Sequence, residues 1–83
     1  MQVEDLDEPV AVRADFTGGR IEPRAFKRGT RTYQVTAVNS HWTDREGDSP
    51  RHCFSVQAGA ETYFLSLRTS DMSWRLNKVI LEG

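Results

Sequence analysis

An 83-residue chain with 37% apolar and 28% charged residues can build one small core, burying roughly 60–65% of its unfolded surface, with little room for a second domain or deep cavity. A formal net charge of −1 and an isoelectric point near 6.1 argue against a dedicated nucleic-acid binder that relies on charge. No apolar run approaches the ~18 residues that cross a bilayer, and the lone Cys53 excludes an internal disulfide or a thiolate zinc centre within one chain.

Met1 to Glu8 carries Glu4, Asp5, Asp7 and Glu8 without hydrophobic periodicity, and reads as a flexible acidic tail (residues 1–8) ahead of a single β domain over residues 9–83. That acidic start is the reverse of a signal peptide's basic n-region, so a cytoplasmic location is expected. Val10, Val12, Ala14 and Phe16 then alternate with polar or small residues, the pattern of a half-buried strand, which stops at Gly18-Gly19. Arg20 to Pro23 suggests a short return strand, with Pro9 and Pro23 expected at strand starts or edges rather than in a central ladder. Phe26 is the expected core contact before a turn at Arg28-Gly29-Thr30.

Arg31 to Trp42 is the longest β-favouring stretch. Tyr33, Val35 and Ala37 share one phase and Val38 breaks it, which predicts a bulge or sharp bend near Val38 in a strand that serves both halves of a curled sheet. Thr43 to Arg51 is polar with a Gly and a Pro, and reads as a loop. From Cys53 to Leu67 the reading is sharpest: Phe54, Val56 and Ala58, then Tyr63, Leu65 and Leu67, occupy alternate positions around a tight Gly59-Ala60 connection. A period of two places all six on one face of a hairpin. After a turn over residues 69–72, Trp74 and Leu76 share a face, with a phase shift before Val79.

No stretch shows helical periodicity over ten residues, and no repeat is visible. The fold class expected is all-β: a small five- to six-stranded antiparallel barrel or strongly bent sheet of SH3-like size, without substantial helix.

Chemical motifs are sparse. His41, Asp44, Ser49, His52 and Cys53 cluster around the polar stretch, but His41 and His52 lie outside recognised ligand spacings. In a strand, His52 and Cys53 must also point to opposite faces. Asp44, Glu46 and Asp48 lack the later glycine and glutamate of a calcium loop. The glycines at 18–19 and 29 precede no helix and serve turns rather than phosphate binding. Neither a catalytic site, a metal site nor a cofactor is therefore expected.

Two surface features stand out. Residues 13–31 hold Arg13, Arg20, Arg24, Lys27, Arg28 and Arg31 against Asp15 and Glu22, six bases minus two acids, a local balance of +4. Such a segment is either an edge protected from strand pairing or a nucleic-acid footprint. The second feature is aromatic. Trp42 stands at the end of its strand, and Phe64 falls out of phase with Tyr63 and Leu65, so its ring should leave the core and be exposed or covered by another chain.

The segments FKRGTRTYQVTAVNSHW and ETYFLSLRTSDMSWRL resemble a family of small bacterial domains, similar to those appended to proteins related to Y-family DNA polymerases. Phe26, Gly29, Tyr33, Val35, Val38, Trp42, Tyr63, Leu65, Trp74 and Leu76 carry the resemblance. It departs from the layout at Arg28, where the pattern has tryptophan. The resemblance implies a bacterial β domain without an established activity, linked to DNA transactions by analogy.

The expectation is a non-enzymatic binding module with candidate surface residues Arg24, Lys27, Arg28, Trp42 and Phe64. Its first role would be protein association, with itself or a larger partner. The alternative is weak single-stranded nucleic-acid contact through residues 20–31.

Overall fold

A computed structural model describes residues 1–82, which form eight antiparallel strands and no helix. These are β1 (Gln2–Pro9), β2 (Ala11–Thr17), β3 (Arg20–Arg28), β4 (Arg31–Gln34), β5 (Ala37–Glu46), β6 (Ser49–Ala58), β7 (Glu61–Arg68) and β8 (Ser73–Leu81). They build a five-stranded sheet in the order β1-β8-β7-β6-β5 and a three-stranded sheet in the order β2-β3-β4. The described residues include no helix long and apolar enough to cross a membrane.

The β6–β7 hairpin has the expected register. Phe54 faces Leu65 and Val56 faces Tyr63 across the ladder, and Gly59 turns at φ 63°. Left-handed backbone at that position carries no Cβ penalty for glycine. Phe54, Val56 and Leu67 are fully buried, and Ala58, Tyr63 and Leu65 nearly so. Both expected phase breaks are bulges. Val38 pairs with Val56 but Ser40 pairs with Ser55, leaving Asn39 as the extra residue. Leu76 pairs with Leu65 and Lys78 with Phe64, leaving Asn77.

The chain changes sheets at two corners. At Val10, whose N–H donates to the Trp74 carbonyl at 3.3 Å, β1 of the larger sheet becomes β2 of the smaller. The second corner splits the long 31–42 segment: Val35 donates to Arg24 at 2.8 Å within the small sheet, and the next residue, Thr36, donates to Gln57 at 2.8 Å in the large one. One long segment thus serves both halves. The ladders nevertheless remain two separate sheets rather than one closed barrel, and the strands number eight rather than five or six.

Three segments correct the expectation. The acidic stretch expected as a tail is β1, paired with β8 from Gln2–Leu81 to Pro9–Arg75. Backbone hydrogen bonds and Leu6, which packs on the core, hold it there, while Glu4, Asp5 and Asp7 are exposed and Glu8 is half-buried. The polar stretch 43–51 is no loop: Asp44 pairs with Arg51 and Glu46 with Ser49 around a turn at Gly47, φ 62°. Its polarity reflects exposure of every β5 side chain, so composition hid the strand. The return strand at 20–23 extends to Arg28, with Pro23 inside the central strand of its sheet. Proline is tolerated because Pro23 sits beside a bulge at Arg24 and beyond the first β3–β4 pair, Ala25–Gln34.

The core lies between the sheets. Phe26 of β3 stacks on Tyr33 at 5.0 Å and meets Tyr63 edge-on at 5.0 Å, bringing the small sheet onto the large one. Trp74, on the face expected to be shared with Leu76, is only half-buried and leans on Phe54 at 5.7 Å, so it borders the core while Leu76 is buried within it. Phe16, expected to point inward, is 56% exposed because β2 runs past the core toward its Gly18-Gly19 turn.

Candidate binding surface

The outer face of the five-stranded sheet carries the molecule's main cluster of mixed polar and aromatic groups. Trp42 on β5 and Phe64 on β7 are separated by β6, whose outward residues between them are the small Cys53 and Ser55. Because neither fills the gap, the two rings lean across β6 and meet edge to face, centroids 6.3 Å apart at 66°. Cys53 and Ser55 are consequently buried on what is formally the solvent side of the sheet.

On β8, the Lys78 ammonium lies 4.6 Å from the Phe64 ring centroid, a cation–π contact. Lys78 pairs in turn with Asp5 on β1. A belt of Trp42, Phe64, Lys78 and Asp5 therefore crosses the sheet. Phe64 does leave the core, as expected, but its cover comes from its own chain, through Trp42 and Lys78, and it is half-buried.

The belt borders a cleft of about 260 Å³ whose polar end is the Asp44–Arg51 pair. Both guanidinium bonds to Asp44 are 2.8 Å. This fork holds the Asp44 carboxyl below its usual range. Cys53 opens toward the same cleft. Burial, and after it the neighbouring Asp44 charge, push its thiol up to about 11, so at neutral pH it is a protonated, weakly nucleophilic group.

The five sequence-selected residues divide between the sheets. Trp42 and Phe64 come together, whereas Arg24, Lys27 and Arg28 lie on β3 of the smaller sheet. Two of those three cations are matched locally: Arg24 bonds Asp15 at 2.8 Å and Glu22 at 3.2 Å, and Arg28 pairs with Glu8 of β1. Arg31 lies 5.3 Å from the Tyr33 ring centroid. Glu8, assigned by its local sequence to an acidic tail, thus neutralises part of the basic segment through the tertiary fold.

The polar cluster around 41–53 is also divided. His41 and His52 join on the core-facing side of the β5–β6 ladder, while Asp44, Arg51 and Cys53 occupy the outer side. No group of three or more His, Cys, Asp or Glu side chains among the described residues is placed to hold a metal ion. Sequence reasoning missed Arg51 and Lys78, whose roles depend on neighbours in other strands; Cys53 and Ser55 as small residues flanked by aromatic-bearing strands were the available signal. No family model, curated protein or solved structure matches the chain.

Proposed function

We propose that this chain is a non-enzymatic association module that pairs with a second copy of itself along β5, with Trp42 as the apolar anchor. The observation that carries the reading is the free edge of β5, an outer strand of ten residues, all exposed. The other open edges are protected. β1 carries four carboxylates and an irregularity between Asp5 and Glu8, the β2 ladder is broken between Arg13 and Ala14 by the Arg24 bulge of β3, and β4 has four residues. On β5, Ser40 to Thr43 is uncharged, follows the Asn39 bulge and carries the 41%-exposed Trp42. Antiparallel pairing centred on Trp42 would set Asp44 opposite Ser40 and Arg45 opposite Asn39, so no like charges oppose each other.

Sedimentation equilibrium tests this. The wild-type chain should approach twice its 9.5 kDa mass as concentration rises, and Trp42→Glu should return it to monomer while preserving a dispersed NMR spectrum. A wild-type protein that stays monomeric throughout the concentration series removes self-pairing.

A second reading, single-stranded nucleic-acid contact in a DNA-transaction setting, is favoured by one observation. On the outer face of the small sheet, Arg13 and Lys27 flank a shallow cleft of about 270 Å³ that also includes Ala11 and Ala25. Neither cation belongs to an ion pair among the described residues. Oligonucleotide anisotropy at low salt tests it: binding should weaken with salt and with joint neutralisation of Arg13 and Lys27. Absence of binding at ~50 mM salt rejects it.

A further inference from the structure

The β5–β6 ladder brings two histidines together from eleven residues apart. His41 stands opposite Phe54 and His52 opposite Thr43, a diagonal relation across one pair of strands. The His41 Nε2 lies 3.1 Å from the His52 Nδ1, and the His41 ring stacks on Phe54 with centroids 4.4 Å apart and planes 18° from parallel. Phe54 is completely buried, so it is a fixed platform that limits rotation of the His41 ring.

We infer that His41 and His52 form a two-ligand site for a borderline first-row divalent cation such as Cu²⁺, Ni²⁺ or Zn²⁺. The spacing supports chelation: two imidazole nitrogens bound to one ion at about 2.0–2.1 Å, with angles between square and tetrahedral, stand about 2.8–3.4 Å apart. The observed separation lies inside that interval. The chemistry selects the ion class, because imidazole suits these metals whereas magnesium and calcium require oxygen ligands. Both atoms in contact are ring nitrogens, and a lone pair is present on each once the ion replaces the proton they share.

Access agrees with this. His41 is on the exposed edge strand, so the ion reaches the pair from solvent and its other coordination positions remain open to water. The edge position also separates this site from Cys53, whose side chain occupies the opposite face of the sheet.

The test uses the full chain, titrated separately with nickel, zinc and copper salts in a non-chelating buffer and followed by calorimetry and by NMR. Saturable one-to-one binding is expected, with copper tighter than nickel or zinc. Paramagnetic nickel should broaden signals around His41, Thr43, His52 and Phe54 first. His41→Gln and His52→Gln should each weaken binding by at least tenfold and retain the dispersed spectrum, while Cys53→Ser leaves nickel affinity unchanged. No saturable binding at millimolar ion, broadening centred on the acidic β1, or affinity unchanged from wild type in either histidine variant would overturn the site. The result is independent of β5 self-pairing, since affinity is measured per chain at concentrations where sedimentation reports monomer.

Discussion

The two sheets solve the same problem with different resources. The five-stranded sheet is covered on both sides at its centre: Phe54, Val56, Leu65 and Leu76 are buried inside, while Cys53, Ser55 and Ser66 are buried outside beside the Trp42–Phe64 pair. The three-stranded sheet inserts Phe26 and buries Pro23, with Val12, Ile21 and Tyr33 partly buried around Phe26. It completes the core without having one of its own. The comparison teaches that a sheet too narrow to stand alone can still be indispensable, because one aromatic residue closes a core that another sheet mostly builds.

If that is right, Phe26→Ala and Phe54→Ala should have similar effects, each about 3–5 kcal/mol by denaturant titration. Against the roughly 4–12 kcal/mol expected of a domain this size, either variant would be close to unfolded. Both should melt in one transition, since the chain crosses between the sheets at Val10 and at Val35-Thr36. A second, earlier transition in Phe26→Ala would show the small sheet to be a separable lid.

Trp74→Ala should be milder. Half-buried at the border of the larger sheet, Trp74 stands to lose about 1–2 kcal/mol on truncation. A loss equal to that of Phe54→Ala would place the border inside the core.

Smaller still is a paired test of turns. Gly59 in the large sheet and Gly29 in the small one have nearly equal φ, 63° and 62°, and an added Cβ would meet nothing at either. Alanine at each should therefore cost about 1 kcal/mol through backbone conformation alone, measured by thermal melting. A much larger loss at Gly29 would mean that the small sheet depends on its turns more than on Phe26.

Within the large sheet and its β7–β8 turn, pH separates three groups. Hydrogen bonds from Ser73 and Arg68 hold Asp71 at about 2, so its contribution is present above the unfolded carboxylate range and is lost as pH falls toward 2. His41, held low, binds its proton less readily when folded, and stability should start to decline as pH drops below the ordinary imidazole range. At the alkaline end the sign reverses. Cys53, raised to about 11, favours the folded state below the unfolded thiol range, and that contribution fades between the two values. Iodoacetamide at pH 8 should accordingly leave Cys53 unmodified until denaturant is added; rapid labelling of the native protein would contradict a buried, protonated thiol.

Much of the fold was legible wherever the chain alternates strictly and both neighbours are local. The six inward residues of β6–β7, the Gly59-Ala60 turn, the bulge beside Val38 and the shift before Val79 follow from a period of two and from turn chemistry. The same period correctly directed Phe64 out of the core. Strands whose side chains mostly meet water lack that signal: β1 offers only Leu6 to the core and Thr43 to Glu46 of β5 is polar, so backbone pairing with β8 and β6 makes them strands.

The apolar pattern of the sequence thus determined the all-β class, the β6–β7 hairpin at the centre of the core and the absence of helical patterning, because these depend on the order of apolar residues along the chain. Tertiary structure alone decided that Glu8 neutralises Arg28, that Trp42 and Lys78 cover Phe64, and that His41 meets His52. Each of those contacts joins residues on different strands, and which strands become neighbours is set by sheet order and register. A one-residue slip in register would turn every one of these side chains to the opposite face.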